Sequence, residues 1–152
     1  MRYTPLTRIV VIFTAFMFAM VAGSQTVEPN PVKFFPNADV KAAFEKGGPI
    51  FDGNGVNYKV SAGRRDKPGT SELHKKDTDI FYIMEGAATF ITGGKMVEGK
   101  ETAPDEIRGA SVEGGQARQL VKGDVIIVPA GVPHWFKSVE TAPFLYFVVK
   151  VK

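Results

Sequence analysis

Glycine and proline residues cut this sequence into short apolar runs, and this pattern limits the folds that the chain can adopt. The 152 residues include 16 Gly and 10 Pro, and many of them stand between short segments rich in Val, Ile and Phe. Short strands joined by such turns are typical of β-sandwiches and barrels. Alternation of strands with helices, which would indicate an α/β fold, is missing, and the length suits a single domain. We therefore predict one all-β domain.

Eight segments have the composition and periodicity of β-strands. In one of them Asp79, Phe81 and Ile83 share a face, and Gly86 then allows a turn into the next strand. The predicted strands cover residues 56–60, 70–74, 79–84, 87–91, 116–120, 124–128, 134–139 and 144–151. The predicted core consists of Phe81, Ile83, Phe90, Phe136, Phe144 and Phe147.

Two parts of the chain depart from the strand pattern. Residues 25–49 begin with prolines that favour an extended arm, and they continue as a short helix that Asn37 caps and Gly47 ends. Residues 93–115 lack regular alternation, and we expect either a variable solvated loop or a hairpin lid. The expected organisation is therefore an arm and short helix at 25–49 and a β-barrel domain at 50–152.

The N-terminal residues have the pattern of a secretory signal peptide. Arg2 and Arg8 precede an apolar run at residues 9–22, and small residues follow it. The run is short for a membrane anchor, which needs about 20 apolar residues. We predict a cleaved signal peptide at residues 1–24, export to the periplasm or the medium, and no stable membrane anchor after cleavage; an uncleaved anchor is the alternative.

Charge and composition exclude several classes of function. Without residues 1–24 the 19 basic residues become 17, against 16 acidic ones, so no excess charge favours nucleic acid binding. The one basic cluster, at residues 64–67, is followed by Pro68-Gly69 and is interpreted as a solvated turn. The chain has no cysteine, which excludes disulfides and thiol nucleophiles. It also lacks the Gly-x-Ser-x-Gly elbow of serine hydrolases.

Four side chains are candidates for chemistry. Glu72 and His74 lie two residues apart, which places both on one face of a strand. Asp79 follows a turn-prone segment, and a tight hairpin would bring it beside His74. His134 opens a strand directly after the turn at residues 129–131.

These two segments resemble the paired motifs of the cupin superfamily, in particular its small single-domain members. The second motif is matched at every spacing by Gly123, Pro129, Gly131 and His134, and it departs only where Ser138 replaces an asparagine. The first motif keeps its spacing in Glu72, His74, Asp79 and Gly86. Here Glu72 replaces a histidine, Asp79 replaces a glutamate, and Asp66 stands at the leading glycine position.

The resemblance implies a double-stranded β-helix, also called a cupin or jelly-roll barrel, with a metal centre. Carried over by position, the ligands are Glu72, His74, Asp79 and His134. Two imidazoles with hard carboxylate oxygens favour Fe(II) or Mn(II), with Zn and Ni as alternatives. Glu72 is either the fourth ligand or a catalytic general base, the latter if burial raises its pKa.

Three functions remain open. The first is an exported metalloenzyme acting on a small molecule, of the dioxygenase, isomerase or lyase type. The second is a non-catalytic module that binds a small ligand or a metal, for example a sensor. The third is a metal-free structural cupin. A homodimer is expected in each case, because cupins often pair or exchange arms and the arm at 27–36 carries Phe34-Phe35.

Overall fold

The computed structural model describes residues 31–152, so the predicted signal peptide and the first residues of the arm lie outside the described residues. Residues 34–152 form one unit that contains a single helix, α1 (Asn37–Lys46), and eleven strands. The strands are β1 (Gly48–Phe51), β2 (Tyr58–Arg65), β3 (Ser71–His74), β4 (Thr78–Thr92), β5 (Lys95–Val97), β6 (Lys100–Ala103), β7 (Glu106–Gly109), β8 (Ser111–Glu113), β9 (Gln116–Val121), β10 (Val125–Val128) and β11 (His134–Val151).

The two longest strands, β4 and β11, pair antiparallel over nearly their whole length. The first half of β4 also pairs with β10, and its second half pairs with β9. The second half of β11 pairs with β2, which pairs with β1, while the start of β11 meets β3 and through it β7 and β6. The sheet therefore curls around this central pair into an antiparallel barrel. The predicted all-β barrel with one short helix is confirmed.

The barrel is filled by side chains from alternate positions of the long strands. Phe90 and Phe136 have ring centroids 4.4 Å apart, and Phe81 meets Phe136 edge-on at 6.0 Å. The buried cluster consists of Phe81, Ile83, Ala88, Phe90, Leu120, Val128, Phe136, Phe144, Tyr146 and Val148. The prediction of Phe147 as core is wrong, because its strand buries the even-numbered positions and leaves Phe147 half-buried on the other face.

Predicted strands on either side of Gly86 are one strand. Gly86 does not form a turn but lies inside β4 at φ 80°. A side chain at this position would overlap the carbonyl oxygens of Thr141 and Pro143 on β11. The glycine therefore lets the two paired strands bend together at close approach. In the same way, the predicted strands at 134–139 and 144–151 are the two halves of β11.

The expectation of an irregular segment at 93–115 is wrong. Strands β5 and β8 form a two-stranded sheet, and β6 and β7 form a hairpin whose second strand joins the main sheet beside β3. These strands are only three or four residues long, and all four residues of β6 are exposed, so they show no alternation for sequence reasoning to detect.

The helix begins one residue earlier than predicted. Asn37 is its first residue, so Pro36 stands at the position preceding the helix, and no side chain caps α1. Gly47 ends the helix at φ 70°, as expected. Across residues 31–152, no helix has the length and apolar character needed to cross a membrane.

Candidate metal centre

Strand β3 holds the first two candidate residues at the centre of the curled sheet. Glu72 pairs in register with Arg108 of β7 on one side and with His134 of β11 on the other. His74 lies two residues along the same strand, so its side chain points to the same face and is buried. The Glu72 Oε2 and His74 Nε2 atoms are 3.6 Å apart.

Asp79 lies beside His74, but not through the hairpin that the sequence suggested. Strand β3 pairs with β7 and β11, whereas β4 pairs with β9, β10 and β11, so β3 and β4 are not partners within the described sheet. The Asp79 carboxylate is fully buried, and its Oδ2 lies 3.4 Å from His74 Nε2 and 3.7 Å from His134 Nε2.

His134 is held with one ring nitrogen free toward the cluster. Its Nδ1 lies 3.1 Å from the Val132 carbonyl oxygen, so Nδ1–H donates that bond and Nε2 keeps its lone pair. Burial is the main reason that the pKa of His134 falls below its usual value. A buried neutral imidazole with a free Nε2 has the state that metal ligation requires.

Glu72 is a poor general base in this setting. Burial by itself raises the pKa of Glu72, but the hydrogen bond with His74 and the charge of Arg108 bring it down to about 2. Arg108 Nη1 donates to Glu72 Oε1 at 2.8 Å. A base that works at neutral pH needs a pKa near that pH. The raised pKa on which the base role depended is not found, and a permanent carboxylate suits a ligand instead.

The donor set fits a divalent cation. Glu72, His74 and His134 each offer a ligand atom, and the three atoms lie within 4.8 Å of one another. Asp79 adds a carboxylate whose Oδ1 is buried and has no hydrogen-bond partner among the described residues. Two imidazole nitrogens with carboxylate oxygens are donors that divalent metal ions accept. The structure therefore brings Glu72, His74 and His134 together as one set of donors, and it places Asp79 beside the two histidines.

Lys150 is the residue that sequence reasoning missed. It stands opposite Asp79 in the β4–β11 register, and its Nζ donates to Asp79 Oδ2 at 2.6 Å. The same nitrogen lies 2.7 Å from His74 Nε2. Lys150 therefore contacts both a candidate nitrogen ligand and a candidate oxygen ligand. The ammonium thus supplies a positive charge at the place where two carboxylates need one.

Two arginines complete the charged surroundings. Arg108 lies on β7, within the segment that was predicted to be irregular. Arg65 belongs to the basic cluster interpreted as a solvated turn, but it ends strand β2, and its side chain is only 19% exposed. Its guanidinium lies over the Phe136 ring at 4.6 Å. The interpretation of residue 65 as part of a solvated turn is therefore wrong, whereas its neighbour Arg64 pairs with Asp66 at the surface.

A cavity of about 110 Å³ opens beside the donor set. Its polar wall consists of Arg65, Thr70, Glu72, Asp79, His134 and Lys150, and its apolar wall of Phe81, Trp135, Phe136, Tyr146 and Val148. Small-molecule sites commonly combine an apolar lining with a few convergent polar groups in this way.

The family follows from this fold together with the sequence. The family model described as Cupin matches residues 60–152, which is more than half of the 152-residue chain. The chain therefore belongs to the cupin family, as the motif spacing predicted. Among curated proteins, none is significantly similar to this sequence.

Several solved structures are similar to this chain at low sequence identity. The DMSP lyase DddQ from Ruegeria pomeroyi DSS-3 is 18% identical over 70% of this chain and 46% of its own, with a TM-score of 0.48. The 11S globulin from Wrightia tinctoria is 13% identical over 64% and 21%, at 0.47. A cupin-like protein from Thermotoga maritima MSB8 is 20% identical over 69% and 66%, at 0.44. This chain spans less than half of the lyase and about a fifth of the globulin.

The pKa of His74 predicts how the stability of the metal-free protein depends on pH. Burial lowers this pKa, but the carboxylates of Asp79 and Glu72 outweigh burial and raise it from 6.5 to about 9. Protonation of His74 in the folded state therefore adds to the free energy of unfolding. This contribution is fully present below pH 6.5 and is lost as the pH rises toward 9. His134, whose pKa is lowered, is neutral in both states above pH 6.5 and does not contribute in this range.

We expect the free energy of unfolding of the metal-free protein to fall between pH 6.5 and 9, by about 3 kcal/mol at most, since one pKa unit corresponds to about 1.4 kcal/mol. Urea denaturation at a series of pH values measures this change. The His74→Gln variant, which cannot take up the proton, is expected to show a flatter profile over the same range. A wild-type profile as flat as that of the variant would contradict the assignment.

Proposed function

We propose that this cupin is a metal-dependent enzyme that acts on a small organic molecule inside the barrel. The observation that carries the proposal is the convergence of Glu72, His74 and His134 within 4.8 Å, beside a cavity of about 110 Å³. Fe(II) or Mn(II) is the preferred metal because the set combines two imidazoles with hard oxygen donors.

The residues around the cavity have different roles in the proposed centre. His134 and His74 would hold the metal through Nε2, and Glu72 would hold it as a carboxylate, with Asp79 as the fourth group. A divalent metal bound there would polarise an oxygen of a bound molecule as a Lewis acid or bring O₂ to it. The apolar wall, including Phe81 and Phe136, lowers the local dielectric constant, which strengthens every charge interaction in the cavity.

The position of Lys150 is compatible with a function that needs no metal. Its ammonium already compensates the buried Asp79 carboxylate, so this charge has a partner without a metal. A metal-free cupin that binds a small ligand, or that serves a structural role, is therefore the second candidate. The two candidates differ in whether the ammonium leaves Asp79 and His74 when divalent metal is supplied.

We propose in addition that the protein is exported, which the charge and apolar pattern of residues 1–24 supports. We also propose a homodimer, which two surfaces support. The first is the outer face of β4 and β10, where Tyr82, Val125 and Ile127 are 48%, 63% and 59% exposed. The second is the arm, where Phe34 is 82% exposed. Within residues 31–152, β10 pairs only with β4, so its other edge is open for pairing.

The metal content of the purified mature protein tests the proposed centre. We expect the wild type to retain Fe or Mn after expression in metal-replete medium, and to gain thermal stability when Mn²⁺ is added. His134→Ala removes a ligand atom and is expected to lose most of the metal. Glu72→Gln is expected to lose less, because an amide oxygen remains a weak ligand.

Elemental analysis measures these contents, and Glu113→Gln, which changes an exposed carboxylate on β8, serves as the matched control. Equal and negligible metal in the wild type and in His134→Ala would overturn the metal proposal. It would leave the ligand-binding or structural function of the second candidate.

Replacement of Lys150 by methionine tests the competition for the cation position. Removal of the ammonium is expected to raise the affinity for Mn²⁺ about tenfold or more. It is also expected to destabilise the metal-free protein by about 1–3 kcal/mol, because Asp79 loses its partner. Competition with a chelator and urea denaturation measure the two effects. The control is Lys59→Met, which changes the exposed lysine opposite Lys150 on β2. Unchanged or weaker metal binding by Lys150→Met would show that the two cations do not compete.

The oligomeric state is measured by light scattering at micromolar concentration. If the β4–β10 face forms the dimer, Ile127→Lys is expected to give a monomer because a charge would be buried in the interface. Phe34→Ser is then expected to remain a dimer. The reverse outcome would assign the interface to the arm, and a monomeric wild type would contradict dimer formation altogether.

A further inference from the structure

The Nε–H donor of the Arg65 guanidinium has no acceptor among the described residues. Its side chain is largely enclosed, one face lies on the Phe136 ring at 4.6 Å, and Nε is buried without an acceptor. Its nearest carboxylate is Glu72, whose Oε1 lies 3.6 Å from Nη2, which is longer than a hydrogen bond. A buried donor without an acceptor is costly, so Arg65 leaves a place for an acceptor supplied from outside the chain.

The charges around the cavity would favour an anion beside a bound metal. Arg65 and Lys150 contribute two positive charges to the cavity wall, and Glu72 and Asp79 contribute two negative ones. Arg108 lies outside this wall and is paired with Glu106 as well as with Glu72. A divalent metal at the donor set would add two positive charges. Because the opposite wall is aromatic and apolar, that excess would be poorly screened, and it would strengthen the binding of an anion in the cavity.

The size of the cavity limits the anion. At about 110 Å³ it has room for roughly four groups of the size of water, which occupies about 30 Å³ each in the liquid. The planar fork of an arginine matches the two oxygens of a carboxylate, which a spherical halide cannot reproduce.

We infer that the ligand of this cavity is a small carboxylic acid, bound through its carboxylate to the guanidinium of Arg65, with Lys150 as a second positively charged contact. This inference rests on the proposed function for the location of the ligand beside the metal donors. The Arg65 contact itself does not require a metal. Arg65 is thus the residue that selects an anionic ligand over a neutral one of the same size.

Calorimetric titration with acetate and oxalate tests the inference, on metal-free and on Mn²⁺-loaded protein, with acetamide and chloride as the neutral and spherical comparisons. We expect saturable binding of at least one carboxylate and no binding of acetamide. Arg65→Gln is expected to weaken carboxylate binding about tenfold or more. Arg64→Gln, which changes the neighbouring arginine on the opposite face of β2, is expected to leave it unchanged.

Arg65→Lys keeps the charge but loses the fork, and it is expected to bind with intermediate affinity; circular dichroism and thermal unfolding of each variant confirm that it is folded. Failure of both carboxylates to bind, or equal binding by wild type and a folded Arg65→Gln, would overturn the inference. Arg65-dependent binding by a protein that retains no metal would support the inference while the metal proposal fails. Metal retention without carboxylate binding would support the metal proposal and overturn the inference about the carboxylate.

Discussion

The antiparallel pairing of β4 with β11 is the interaction on which the rest of the structure depends. Each of these strands is long enough to take different neighbours in its two halves, so the sheet curls around the pair and closes over an aromatic core. The same register places Lys150 opposite Asp79 and brings His134, the first residue of β11, to β3. A shift by one residue would turn these side chains to the other face of the sheet. The register therefore determines both the core and the site.

A second constraint is the cost of charge inside an apolar barrel. Glu72 and Asp79 lie among buried aromatic side chains, and an uncompensated carboxylate there would destabilise the fold by several kcal/mol. Arg108 pairs with Glu72, and Lys150 pairs with Asp79. The same two carboxylates raise the pKa of His74. Each buried carboxylate therefore has a positively charged partner from the chain itself.

The candidate ligands were predictable because their relation is local or follows from motif spacing. Glu72 and His74 share a face through the two-residue period of a strand, and His134 follows a turn that its glycine and prolines mark clearly. Lys150 was not predictable, because it lies 71 residues from Asp79 and stands in the second half of β11 among apolar and aromatic residues. Arg65 was misjudged since a run of charges followed by Pro-Gly has the composition of a surface turn.

By itself the sequence determined the class of fold, most strand positions, the alternation that buries Asp79, Phe81 and Ile83, and the four side chains of the candidate centre. These depend on short-range periodicity and turn chemistry, which a single chain displays directly. The tertiary structure decided which strands pair, that Gly86 bends a strand rather than ending it, and that Lys150 and Arg65 enter the site. Those outcomes depend on contacts between residues far apart in the chain, where the favourable pairing of a buried charge outweighs any local preference.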